Sequence, residues 1–258
     1  MGDRFSLPEA INVEGGEDRD GAIMARIGDA AAHDFQVTPQ NEKVIGASSW
    51  SETILKMVDD VRPMRSDKTG YVVQSLGGMG NPTVQARASR LTTRLARLTG
   101  GEACLLSAPG VAHSREAELV LANDPYIREE SDLFGKITLS IVGIGAVEPS
   151  SMLAQNGNVF LVSELAEVVE PEGVGDIGLR FFDKIGCPVK TPLDDRANGM
   201  TLEEKAGTDR VIALAGGRTK THAIRNALVT RAVDALIKDM FTAERLQETG
   251  PHHGTEAN

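Results

Sequence analysis

Residues 216–220 read Gly-Gly-Arg-Thr-Lys, so Arg218, Thr219 and Lys220 put two cations and a hydroxyl in one tight turn. The turn follows the apolar run 211–215 and precedes a helical stretch. Cations at a helix N-terminus oppose the helix dipole unless an anion sits there. The turn therefore reads better as an anion site than as a solvated charge cluster. Three further apolar runs end in small or hydroxyl residues before a helix or turn, at 46–53, 77–81 and 143–145. Each can aim backbone N–H groups at an anion. One such loop is weak evidence, because a strand-to-helix turn often takes Gly for geometry alone. Four of them on one sheet edge point to a phosphate pocket.

The segment Ser48-Ser49-Trp50-Ser51-Glu52-Thr53 is hydroxyl-rich at the start of a helix. Those hydroxyls cap the helix, and the same groups can donate to a phosphate; the two roles are compatible. Asp176 lies between Gly175 and an apolar residue, where it either caps a turn or accepts hydrogen bonds from sugar hydroxyls. No Gly-x-Gly-x-x-Gly follows a first strand and no Gly-x-x-x-x-Gly-Lys-[Ser/Thr] occurs, which argues against dinucleotide or nucleoside triphosphate use. Of five histidines, His33 falls in the first helical stretch, His113 and His222 near helix starts, and His252 and His253 in the tail. They form no His-x-x-x-His pair and no Ser/His/Asp elbow, so no metal site or hydrolase machinery is expected.

Composition narrows the classes further. The chain has 258 residues, 41% hydrophobic, enough for one large α/β domain or two small ones. Only 4% are aromatic and the formal charge is −10, which disfavours nucleic-acid binding by this chain itself. Cys104 and Cys187 stand in apolar surroundings without partners at metal-ligand spacing and read as two buried, reduced thiols of a cytoplasmic protein. No run of about 18 apolar residues is present, and the N-terminus lacks an apolar signal core, so neither membrane insertion nor export is expected. Residues 1–6 fit the N-myristoylation pattern, which is permissive enough for a chance match.

The elements that must position these groups alternate short apolar runs with amphipathic stretches, the mark of βα units and a mainly parallel sheet. Strands are expected at 10–13, 43–46, 71–73, 103–106, 137–142, 211–215 and 234–237. Helices are expected at 22–35, 51–61, 83–98, 114–122, 125–134, 219–230 and 242–248. In the first of these Ile23, Ile27, Ala31 and Phe35 recur at helical spacing. In such a sheet, ligands bind beyond the carboxyl ends of the strands where the strand order reverses. Residues 1–9 read as an extension, 10–249 as one ligand-binding domain and 250–258 as a polar, disordered tail.

Taken in order, the segments resemble the effector-binding domain of the SorC family of bacterial sugar-responsive transcriptional regulators. The resemblance runs from about Ala10 to Glu248. Its strongest parts are Val142-Gly143-Ile144-Gly145, Gly173-Val174-Gly175-Asp176-Ile177 followed by Arg180-Phe181-Phe182-Asp183, and Ala215-Gly216-Gly217-Arg218-Thr219-Lys220-Thr221-His222-Ala223-Ile224. Weaker parts are Val44-Ile45-Gly46 with 50–53, and Leu76-Gly77-Gly78. The resemblance implies a three-layer, Rossmann-like α/β fold with a mainly parallel sheet, as in glucosamine-6-phosphate deaminase, ribose-5-phosphate isomerase and CoA-transferases. It implies no catalytic activity and no cofactor. It also implies a phosphorylated sugar or related metabolite at the sheet's carboxyl edge, a homodimer or homotetramer, and DNA binding through a separate helix-turn-helix domain.

Carried over residue by residue, the resemblance puts Ser49, Ser51, Glu52 and Thr53 on the loop that meets the phosphate or sugar. Gly143 and Gly145 fall on the pocket floor, Asp176 on the acid facing sugar hydroxyls, and Lys220 on the cation closing the site beside Gly216 and Arg218. Gln74, Gly77, Gly78 and Asn81 lie on the neighbouring edge. Two departures stand out. Ser51 replaces a Gly usual in the first loop, so a Cβ limits the backbone's approach to a phosphate. The chain also opens directly on the effector domain, so it is expected to be either a piece of a longer regulator or a stand-alone relative, the first being favoured because the acidic chain then needs only to bind metabolite and self-associate. The alternative is a sugar-phosphate isomerase or aminosugar-phosphate deaminase on the same fold, with Asp176 or Glu52 as base; no base-and-His pair stands beside the phosphate loop.

Overall fold

The computed structural model describes residues 7–14, 16–38, 43–64, 69–78, 82–147 and 173–248. The polar tail, residues 1–6 and Asn81 lie outside that set.

The chain opens with β1 (Glu9–Val13), α1 (Asp20–Val37), β2 (Lys43–Ala47), α2 (Glu52–Asp60), β3 (Thr69–Gln74), α3 (Pro82–Thr99) and β4 (Glu102–Cys104). Two short helices follow, α4 (Arg115–Ala122) and α5 (Pro125–Ser131), then β5 (Leu139–Gly143). A small hairpin region holds β6 (Gly145–Ala146), β7 (Gly175–Asp176) and β8 (Phe181–Phe182). The chain closes through α6 (Leu202–Ala206), β9 (Arg210–Leu214), α7 (Thr221–Val229), β10 (Ala235–Asp239) and α8 (Met240–Glu248).

Seven strands form one sheet in the order β1-β10-β9-β5-β2-β3-β4, and every pairing in it is parallel. Parallel pairing forces each connection to cross over the sheet and leaves helices on both faces. From β2 the chain steps outward to β3 and β4; from β5 it steps the other way to β9 and β10. The order therefore reverses between the neighbours β2 and β5, which opens a crevice beyond their carboxyl ends.

Both sheet faces are buried, so the strands read as continuous apolar runs. On one face Ile45, Val72, Leu139, Ile141, Ile212, Leu214 and Ile237 pack against α1, α2 and α3. On the other, Val142, Val211, Ala213 and Leu236 meet Ala223, Ile224, Ala227 and Leu228 of α7 and Leu246 of α8. The alternation of Leu139 and Ile141 against Val142 is the two-residue period of a strand. This is the three-layer α/β architecture expected from the sequence.

Several details depart from the sequence-based expectation. The strand expected at 103–106 ends at Cys104, and Ser107 is instead held by the Glu130 carboxylate through both its N–H (2.7 Å) and its hydroxyl (2.6 Å). The helix from 125 stops at Ser131, with a separate 3₁₀ turn at Phe134–Lys136. The helix expected from 219 begins as a 3₁₀ turn, Arg218–Lys220. The antiparallel sheet β6-β7-β8 and α6 were not expected: their elements are only two to five residues long, too short to show a period.

The two cysteines are not both buried. Cys187 is exposed on a turn where its N–H donates to Asp183 Oδ1 at 2.8 Å, and Cys104 is half-buried. Burial, with Glu130 and Glu129 nearby, pushes the Cys104 thiol up to about 11. Among the described residues no helix is long and apolar enough to cross a membrane.

Candidate functional site

Because all seven strands are parallel, the loops after β2, β3, β5 and β9 leave from one edge of the sheet, as expected. Packing then separates them into loops whose polar groups face the crevice and loops whose polar groups are consumed by the protein.

The loop after β2 starts α2. Ser51 is the N-cap, its Oγ accepting from the Ile54 N–H at 3.4 Å. Glu52 and Thr53 form the first turn, with Thr53 buried. Gly143, at the end of β5, lies directly opposite: a Cβ there would stand 2.9 Å from Ser51 Oγ and 3.1 Å from Ser51 Cβ. Ser51, the side chain that replaces the usual Gly, is thus accommodated because β5 ends in a residue without one. Ser49 belongs elsewhere. It is fully buried, and its hydroxyl is bonded to Thr92 Oγ1 on α3 at 2.8 Å.

The loop after β3 is likewise occupied by protein. Gln74 is buried and its Nε2 donates to the Leu76 carbonyl at 2.7 Å. The Gly77 N–H donates to the Asn198 carbonyl (2.9 Å) and the Gly78 N–H to the Ala108 carbonyl (2.8 Å). Gly77 also accepts from Trp50 Nε1 at 3.1 Å. A Cβ on Gly77 would collide with the backbone at 108–110, so this glycine serves close packing. Neither N–H is left for an anion.

Gly145 pairs with Asp176 across the small sheet, and a Cβ at Gly145 would overlap the Asp176 carboxylate. Asp176 Oδ2 accepts from the Leu179 N–H at 3.0 Å. That bond closes a tight turn in which Gly178 and Leu179 both take left-handed φ, +61° and +62°. A leucine there is strained, at about 1 kcal/mol or more. Its buried side chain, packed with Trp50, Leu76 and Ala88, offsets the strain. Of the two alternatives for Asp176, turn capping is therefore realised on one oxygen, and the other lies against Gly145.

Burial raises the Asp176 pKa, opposed by the Leu179 N–H and by Lys220 and Lys205. Burial likewise lowers the Lys220 pKa, opposed by Asp176, Asp20 and Glu52. The crevice thus joins Ser51, Glu52, Gly143, Gly145, Asp176 and Lys220.

The loop carrying Lys220 is held from behind. Gly216 has no room for a Cβ between Asp239, Ile27 and Ile23. Gly217, at φ +101°, donates its N–H to Thr242 Oγ1 at 2.8 Å, and the Thr242 hydroxyl donates to Asp239 Oδ2 at 2.5 Å. Asp239 also accepts from the Thr242 N–H at 2.9 Å, as the cap of α8. Thr242→Val keeps the shape but strips Gly217 and Asp239 of a buried partner. The expected cost is about 1–3 kcal/mol, read from urea unfolding. An unchanged midpoint would show that the chain does not depend on this bridge.

Arg218 takes a different direction from Lys220. Its guanidinium pairs with Asp18 at 3.2 Å, and Asp18 pairs with Arg245 of α8 as well. Cations at this helix start need an anion, and for Arg218 the protein itself supplies one. Arg180 was read only as part of a segment, yet it is a buried staple. It donates to the carbonyls of Asp194, Ala197, Gly199 and Met200 and pairs with the Asp194 carboxylate at 3.1 Å. It locks the segment 194–200 onto the Asp176 hairpin. Among the described residues no group of three or more His, Cys, Asp or Glu side chains could hold a metal ion.

Comparison with known proteins agrees with this architecture. Residues 1–248 match the family model described as "Putative sugar-binding domain". The chain is 30% identical over 252 residues to the transcriptional regulator YjhU of Escherichia coli strain K12, covering 95% of this chain and 75% of that protein. It is 25% identical over 223 residues to the deoxyribonucleoside regulator of Bacillus subtilis strain 168, covering 86% and 69%. A solved sugar-binding domain of the transcriptional regulator DeoR from Pseudomonas syringae pv. tomato shares 34% identity with a TM-score of 0.74, covering 95% of this chain and 94% of that one. The full-length sorbitol operon regulator SorC from Klebsiella pneumoniae shares the fold, with a TM-score of 0.85 at 20% identity over 95% of this chain and 78% of that one. The chain belongs to the sugar-binding domain family of SorC- and DeoR-type transcriptional regulators.

Proposed function

We propose that the crevice between β2 and β5 binds a phosphorylated sugar or related metabolite, and that its occupancy controls DNA binding by a longer regulator. The observation that carries this reading is the meeting of Lys220, Asp176 and the start of α2 at the point where the strand order reverses. Lys220 and the first turn of α2 hold the phosphoryl group, where a cation and a helix dipole act on the same anion. Asp176 and Glu52 accept from sugar hydroxyls, and Gly143 and Gly145, having no side chain, leave room for Ser51 and the Asp176 carboxylate beside the ligand. The ligand shifts a two-state homodimer or homotetramer by binding one state better than the other. The protein works in the cytoplasm without a cofactor, and DNA is held by a helix-turn-helix domain outside this chain.

Isothermal titration with a panel of sugar phosphates and the matching free sugars tests the reading. One phosphorylated member is expected to bind and its free counterpart to bind far more weakly; silence across the panel by a folded chain overturns it. The domain performs no chemistry in this reading. Turnover of ribose 5-phosphate or glucosamine 6-phosphate, followed by NMR, would instead establish an enzyme.

A further inference from the structure

The β1–α1 loop was no part of the sequence-based site, yet it reaches the Lys220 loop twice. Asp18 pairs with Arg218, and it ties that residue to Arg245 of α8. Asp20, the first residue of α1, rests its carboxylate on Gly217, so that a Cβ there would stand 2.8 Å from Asp20 Oδ1. Gly217 in turn is fixed by Thr242, which leaves the carboxylate and the loop little freedom to separate. Lys220 belongs to the same turn, its N–H donating to the Gly217 carbonyl at 3.3 Å, so Asp20 bears on the loop that carries the ammonium, and with Asp176 and Glu52 it favours the charged form of Lys220. Asp176 and Glu52 sit at the carboxyl ends of the strands and face ligand hydroxyls in the proposed site. Asp20 reaches the loop from the start of α1 and, unlike those two, is exposed.

We propose that Asp20 is the built-in counter-charge of Lys220, which an anionic ligand group must outcompete to enter the site. This rests on the anion-binding reading of the crevice. With three carboxylates acting on one ammonium, the site is net acidic and repels weakly held anions. A phosphoryl group with two charges, backed by the start of α2, overcomes that opposition where a stray monoanion does not. Asp20 lies on the outside of the loop and is exposed, so changing it does not disturb the core.

The test is titration of Asp20→Asn with inorganic phosphate and, separately, with ribose 5-phosphate at low ionic strength. Removing one nearby like charge is expected to tighten phosphate binding about three- to tenfold. The gain is expected to collapse in about 0.5 M salt, where a charge effect is screened and a packing effect is not. Asp20→Glu, which keeps the charge, is expected to bind like the wild type. Unchanged or weaker phosphate binding by Asp20→Asn overturns the inference, as does a gain that survives salt. If ribose 5-phosphate binds the wild type, fails with Lys220→Ala and ignores Asp20→Asn, only the counter-charge is wrong. If neither probe binds any variant, the anion-binding reading falls and the inference falls with it.

Discussion

Replacing Lys205 by methionine is expected to stabilise the folded chain near neutral pH and to remove a pH dependence expected of the wild type. Lys205, on α6, is only 1% exposed. Its Nζ lies 2.5 Å from the Met200 carbonyl and 3.5 Å from the Thr201 carbonyl, and among the described residues no carboxylate forms an ion pair with it. Burial lowers its pKa to about 7, with the Arg180 guanidinium pushing the same way and Glu204 and Asp176 opposing. A lysine whose folded pKa lies below its unfolded value destabilises the folded state while it is charged. Below about pH 7 both states hold the proton and the full cost is present. As pH rises from about 7 toward 10.5 the folded state gives up its proton first, and stability climbs.

At about 1.4 kcal/mol per pKa unit, the climb across the whole interval is up to about 5 kcal/mol. Methionine fills much the same buried space without a charge. Neither carbonyl is stranded, because Met200 also accepts from Arg180 Nε and Thr201 from the Lys205 backbone N–H. Urea midpoints at pH 6.5 and pH 9 provide the measurement. The wild type is expected to gain stability between them relative to Lys205→Met, and the variant to be the more stable at pH 6.5. Parallel pH profiles for the two would rule out a strained buried ammonium.

Lys220→Ala carries the second large effect. A charge-assisted hydrogen bond from a partly buried ammonium to a phosphoryl oxygen contributes about 1.5–3 kcal/mol, so affinity for a phosphorylated ligand is expected to fall about 10- to 100-fold. The same substitution is expected to change affinity for the unphosphorylated sugar little, because Asp176 and Glu52 remain. Comparing the two ligands on the two proteins separates a phosphate contact from a general loosening of the loop, which would weaken both alike. Equal losses for both would move the phosphoryl group away from Lys220.

The helices and strands of the main sheet were legible because each is long enough to show its period. Ile23, Ile27, Ala31 and Phe35 mark the buried stripe of α1, and all four are buried in the fold. The run at 137–142 announces a strand covered on both faces, and β5 sits at the middle of the sheet. The loops at the carboxyl edge were legible for the same reason, since a parallel sheet sends every strand end the same way. Which groups of those loops remain available was not legible. Gly77 and Gly78 look like anion-binding glycines, but their N–H groups serve Asn198 and Ala108, which lie far along the chain. Ser49 looks like a loop hydroxyl, yet it is turned into α3.

The sequence by itself determined the α/β class, the parallel sheet and the edge on which chemistry collects, while its resemblance to the SorC family singled out Asp176 and Lys220. These depend on local patterns: apolar periodicity, turn residues and the handful of charges that follow a strand end. Only the tertiary structure decided that Arg218 answers to Asp18, that Asp20 rests against Gly217, and that Thr242 braces Gly217. It also decided that Lys205, in a helix of five residues, is buried. The physical reason is that β1 joins the sheet at its outer edge beside β10. That pairing brings the start of α1 against a turn 200 residues later, and no local pattern encodes a charge contact made across such a distance. By sequence the turn at 216–220 holds two cations in need of an anion; in the folded chain Asp18 already answers Arg218.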